Sequence, residues 1–155
     1  MLVSVLAASI AVSIVSACDT RTPGYWKNHL EAWPVAPGGT GTTFPDSFEG
    51  SRTYTIPANA MDILWMPVKG DAAINLKQKV IAAELSILAD QRDGWGYPPN
   101  YVGGPMGGAN LIDLVDAANA WLTAHPTAPP GTASREQGLA LASAIDYWLN
   151  FYDVG

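Results

Sequence analysis

Cysteine is nearly absent: Cys18 is the only one in 155 residues. A single thiol excludes an intrachain disulfide and a cysteine-rich zinc site. What is left to Cys18 is acceptance of a lipid, pairing with another chain, or no covalent role. Charge is scarce too, at 14% of residues against roughly 25% in an average soluble domain. The net charge is −6 and no cluster of lysine or arginine occurs. Phosphate recognition needs a basic patch, so nucleic acid is not expected as a partner, nor is charge-driven binding to an anionic membrane. Histidine is limited to His29 and His125, far apart in the chain and outside any H-E-x-x-H pattern. There is no G-x-S-x-G elbow, dinucleotide fingerprint or phosphate loop. A glycosidase needs two carboxyls about 5–10 Å apart, and Glu31, Glu49, Glu84 and Glu136 are scattered. Residues 90–94, Asp-Gln-Arg-Asp-Gly, lack the alternating acids of a calcium loop and are expected to form a solvated turn. No enzyme activity, metal or other cofactor is therefore expected.

What is present suits an exported protein. The length fits one domain, and 48% hydrophobic residues allow a substantial core. Many Gly, Pro and Trp with little charge fit an extracellular or assembled protein better than a cytosolic enzyme. Residues 1–17 contain no charge, proline or glycine. Three readings of this segment stand side by side. As a signal peptide it has the apolar core, and Val15-Ser16-Ala17-Cys18 resembles a lipoprotein cleavage box, but the basic start is missing. As a retained helix it places Ser9, Ser13, Ser16 and Ala17 on a small-residue stripe beside Leu6, Ile10 and Ile14. Such a helix is ~25 Å long, slightly short for a bilayer. It resembles the core helix of type IV pilin-like subunits, although Val5 stands where those carry a glutamate nearby. As a strand, Ile10, Val12 and Ile14 alternate.

The remainder, residues 18–155, reads as one mainly α domain with two long Gly/Pro-rich loops. A short helix is predicted over residues 24–33, stopped by Pro34. Residues 35–58 read as irregular around Pro37-Gly38-Gly39-Thr40-Gly41, with a strand at 52–56 and a helical turn at 58–65. Asp71 is expected to cap a helix to about Asp90. Its inner face carries Ile74, Gln78, Ile81, Leu85 and Leu88, and its outer face Lys77, Glu84 and Gln91. Asn110 is expected to cap a helix over 111–124, with Asp113 in its first turn and Leu111, Val115, Ala118 and Leu122 inward. Ser134 and Gln137 match a capping box before a last helix over 135–152, whose inner face is Leu141, Ile145, Trp148 and Tyr152. The second loop, residues 93–108, is rich in Gly, Pro and aromatics.

Residues 18–34, Cys-Asp-Thr-Arg-Thr-Pro-Gly-Tyr-Trp-Lys-Asn-His-Leu-Glu-Ala-Trp-Pro, resemble the opening of a family of secreted bacterial domains that begin close to C-T-x-T-x-G-Y-W-K-N-H-P-E-A-W-P. Weaker similarity continues at residues 67–73, 80–85 and 140–146. Leu30 replaces the family's proline, and the Gly-rich loop at 93–108 is an insertion. The resemblance implies export and a cell-surface or extracellular location, and no established catalytic activity.

Tyr25, Trp26, Lys27, Asn28, His29 and Trp33 have two roles open to them. They can form a ligand platform, with aromatic faces for sugars and polar groups for hydrogen bonds, or a structural clamp with both tryptophans buried. Trp95, Tyr97 and Tyr101 in the second loop suit an interface, a glycan contact or local packing. The leading expectation is a structural subunit of an extracellular filament or surface assembly, its partners copies of itself. Leu6, Ser9, Ile10, Ser13, Ile14 and Ser16 are the assembly residues, and the membrane is met only during export or through this segment. The alternative is a lipid-anchored or secreted module that binds cell-surface glycan, with Cys18 as lipid acceptor.

Overall fold

The computed structural model describes residues 20–43, 50–92 and 109–151, with only the backbone of Phe151 at its end. The assembly residues Leu6, Ser9, Ile10, Ser13, Ile14 and Ser16, together with Cys18, lie outside the described residues. So do Glu49, the loop carrying Trp95, Tyr97 and Tyr101, and Tyr152.

The domain is mainly α, with one small antiparallel ribbon. Its elements are α1 (Pro23–Asn28), a 3-10 turn (Leu30–Ala32), β1 (Thr40–Thr42), β2 (Thr53–Thr55), α2 (Ala60–Trp65), α3 (Ala72–Arg92), α4 (Leu111–Ala124) and α5 (Arg135–Phe151). The axis of the fold is α3, about 30 Å long at 1.5 Å per residue. Every residue from Val80 to Asp90 is buried, because α5, α4, α1 and α2 all pack against this one helix. A helix enclosed on all sides has no outward stripe to fill with polar residues. The expected outer position of Glu84 is therefore overturned: its side chain is inside, 6% exposed. The expected turn at 90–94 is also displaced. Residues 90–92 form the last turn of α3, with Asp90 buried.

The caps explain where the helices begin. The Asp71 carboxylate accepts from Ala73 N at 2.8 Å and from Ala128 N at 2.9 Å, so one side chain starts α3 and fastens the segment between α4 and α5. Lys69 and Gly70 lead into it with positive φ. Asn110 Oδ1 accepts from Asp113 N at 2.7 Å, as expected for α4. Ser134 and Gln137 make no capping box. The first turn of α5 instead uses main-chain carbonyls, Thr132 O accepting from Arg135 N and Ser134 O from Gly138 N. Gln78, on the inner face of α3, donates to the carbonyls of Ile63 and Met66 at 2.9 and 2.8 Å, and so closes α2.

Within the Gly-rich stretch read as irregular, Thr40–Thr42 forms a strand paired with Thr53–Thr55, with Gly41 opposite Tyr54. The hydroxyls of Thr40 and Thr55, and of Thr42 and Thr53, pair on the exposed face at 2.9 and 3.1 Å. A Cβ on Gly41 would stand 2.8 Å from Leu88 Cδ2. Glycine is what lets the ribbon lie down on α3. The core is one apolar cluster in which Trp26, Trp148, Ile56, Leu76, Leu85, Leu111 and Ile145 are fully enclosed.

Candidate functional site

The Tyr-Trp-Lys-Asn-His motif lies on α1 and its end. Thr22 caps the helix and Pro23 occupies its first turn, where a missing N–H costs nothing. Successive helical residues are about 100° apart, so the motif splits around Trp26. Trp26 points inward, 2% exposed, and its Nε1 donates to Ser86 Oγ on α3 at 3.2 Å. Trp33 is also buried, and its Nε1 donates to Trp26 O at 2.9 Å. The two indoles form the clamp: one fastens α1 to α3, the other satisfies a carbonyl at the C-terminal end of α1.

Tyr25 and His29 lie on one flank, stacked with centroids 4.4 Å apart, and the Arg21 guanidinium covers the Tyr25 ring at 4.9 Å. His29 ends α1, and its Nδ1 is 2.9 Å from Glu31 Oε1. That hydrogen bond, helped by one to the Glu31 main chain, holds the exposed Glu31 carboxyl below the ordinary carboxylate range. Asn28 turns its amide back to Gly24 O at 2.8 Å. Lys27 takes the opposite flank, with its ammonium 4.6 Å from the centre of the Trp65 ring. Trp65, at the end of α2, is 58% exposed, with Met66 and Leu30 also open to solvent. The motif therefore faces three directions and does not make one continuous platform.

Sequence reasoning missed two features. Trp65 carries no pattern that marks it as exposed. Glu84, assigned to the outside, lies in a cleft of about 300 Å³ whose lining includes Asn59, Ile63, Lys77, Val80, Ile81 and Leu122. Its Oε1 accepts from Asn119 Nδ2 at 3.0 Å. Burial pushes its carboxyl up to about 7; the Asn119 hydrogen bond opposes this, and Asp116 adds like-charge repulsion. Glu31 and Glu136 are exposed and belong to separate local pairs, with His29 and with Arg135. Among the described residues, no three His, Cys, Asp or Glu side chains converge where a metal ion could sit, and no helix is long and apolar enough to cross a membrane.

Comparison with protein-family models, with curated proteins and with solved structures finds no match to this chain.

Proposed function

We propose that the protein is an exported structural subunit of a filament or surface assembly, polymerising through residues 1–17 with the helical domain carried outside. The observation that supports this reading is how soon after the apolar segment the chain is locked down. Thr20 is 1% exposed, and its hydroxyl donates to the carbonyls of Trp148 and Leu149 on α5 at 3.1 and 3.3 Å. The next residue, Arg21, donates its N–H to Ser86 Oγ at 3.0 Å. The point at which the segment joins the domain is therefore the same in every copy, as a repeating interface requires. The clamp role of Trp26 and Trp33 points the same way, since it assigns the most distinctive motif to holding the domain together. The resemblance of residues 18–34 to secreted bacterial domains supports export. Burial of each Val, Leu or Ile in such a segment stabilises by about 1.5–3 kcal/mol. Ile10→Asp is therefore expected to abolish sedimenting polymer while the domain stays folded. Polymer that survives the change counts against the reading.

A second reading is a lipid-anchored or secreted glycan-binding module. It is favoured by Trp65, whose exposed indole carries the Lys27 ammonium beside it. Aromatic faces of this kind stack on sugar rings. Intact mass of surface-purified protein separates the two. A chain starting at Met1 in polymer supports the first. A chain starting at Cys18 with added lipid, and glycan retention lost in Trp65→Ala, supports the second.

A further inference from the structure

The Glu84 cleft takes no part in the clamp or in the Thr20 junction. It lies where α3, α4 and the approach to α2 meet. Its walls are largely apolar, from Pro57, Ile63, Val80, Ile81 and Leu122, and the Glu84 carboxyl lies among them. Among the described residues, no cation forms an ion pair with that acid. From α4, Asp116 repels the acid from outside the cleft lining and is itself paired with Arg52, just before β2, at 3.2 Å. On α3, Lys77 lines the cleft, but its Nζ donates to Pro126 O at 3.1 Å. The α2 side contributes Asn59 and Ile63, both uncharged. An anion entering here meets the Glu84 carboxyl. A neutral apolar molecule gains nothing from the acid. A cation with an alkyl chain gains from both the acid and the walls, because a buried carboxylate that lacks a counter-ion is costly until one arrives.

We propose that this cleft is a binding site for a primary alkylammonium group, with the ammonium on the Glu84 carboxylate and the alkyl chain against Ile63, Val80, Ile81 and Leu122. A volume of about 300 Å³ accepts a chain of several carbons and is at the small end for ligand pockets. The site binds the cation with Glu84 ionised, so binding competes with the proton that burial favours. The affinity follows the ionised fraction. With the carboxyl titrating at about 7, the dissociation constant falls about tenfold from pH 6 to pH 8.

The test is calorimetric titration of the full chain with n-butylammonium chloride, charged at both pH values, at constant ionic strength. Saturable one-to-one binding, about tenfold tighter at pH 8 and lost in Glu84→Gln, is the expected result. No saturable binding at pH 8, equal binding by Glu84→Gln, or equal binding of n-butanol overturns the proposal. Near-UV circular dichroism checks that the variant is folded. If it is not, Leu122→Trp, which fills the cleft from its half-buried wall, decides instead, and binding that survives it also overturns the site. A parallel titration with Nα-acetyl-lysine methylamide identifies the source. Binding as tight as n-butylammonium assigns the cleft to a lysine side chain of a partner. Exclusion of the lysine derivative, with n-butylammonium retained, assigns it to a free amine.

Discussion

The indole N–H of Trp26 donates to the hydroxyl of Ser86 across sixty residues of sequence. Ser86 is fully buried and also accepts the main-chain N–H of Arg21 at 3.0 Å, while its own proton goes to Ala82 O at 2.8 Å. One hydroxyl thus gathers the entry of the domain, the clamp helix and the central helix. Ser86→Ala removes the acceptor and leaves two donors, the Trp26 indole and the Arg21 amide, facing an apolar site. A buried unsatisfied donor costs about 1–3 kcal/mol, so the variant should lose about 2–4 kcal/mol in urea unfolding. Trp26→Phe in the same background should show coupling of about 1 kcal/mol. Strictly additive losses would mean that the two side chains do not act together.

Gly138 on α5 lies against the Trp121 ring of α4. A Cβ at this position would stand 2.5 Å from Trp121 Cη2 and 2.7 Å from Cζ2. The indole has little room to give, since it is buried and stacked on His125 with centroids 4.7 Å apart. Alanine normally favours a helix over glycine by about 1 kcal/mol. Overpacking costs about 1–3 kcal/mol and should win. Gly138→Ala is expected to lower the unfolding midpoint and to shift the near-UV signal of Trp121. Unchanged or higher stability would show that α4 and α5 separate easily. Gly41→Ala meets the side-chain ends of Leu88, at 2.8 and 2.9 Å, and of Val35, at 3.3 Å, rather than a ring, and should be the milder change.

The parts of this fold legible in the sequence are those decided locally. Asn110 with Asp113, the apolar spacing of Leu141, Ile145 and Trp148, and Pro67 after α2 all mark elements that the structure contains. The failures fall where tertiary contacts decide. Periodicity assumes that a helix has a wet side and so puts Glu84 there, whereas α3 has almost none over Val80–Asp90. β1 follows glycines that argue against regular structure, yet Gly41 is what allows the ribbon to approach Leu88. The motif at residues 25–29 was visible as a cluster. Its division around Trp26 depends on Ser86 and Trp65, which no local spacing connects to it.

Thr20 gives a direct test of the junction to the N-terminal segment. Its hydroxyl donates to two carbonyls in the last turn of α5. Thr20→Val keeps the shape and removes the donor. Loss of one net hydrogen bond costs about 0.5–1.5 kcal/mol, with more if the carbonyls stay dry. Amide exchange should accelerate at residues 20–22 and in the last turn of α5, with little change in α4. Uniform acceleration through the domain would instead make Thr20 an ordinary part of global stability.

Glu84 makes the stability of the domain depend on pH in the opposite sense from a paired carboxylate. Burial raises its titration from an ordinary 4.5 to about 7. Between those values the folded state keeps a proton that the unfolded chain has released, so more protons are bound in the native state and stability falls as pH rises. The contribution is fully present below about 4.5 and lost above about 7. Its size is about 3–4 kcal/mol at most, at about 1.4 kcal/mol for each tenfold change. Gln at this position keeps an oxygen for the Asn119 amide and never ionises. Urea midpoints of the native chain and of Glu84→Gln should therefore differ little at pH 5 and diverge at pH 8, with the variant the more stable of the two. Parallel pH profiles would mean that Glu84 titrates alike in the folded and unfolded chains, and that its carboxyl is not held in a desolvated site.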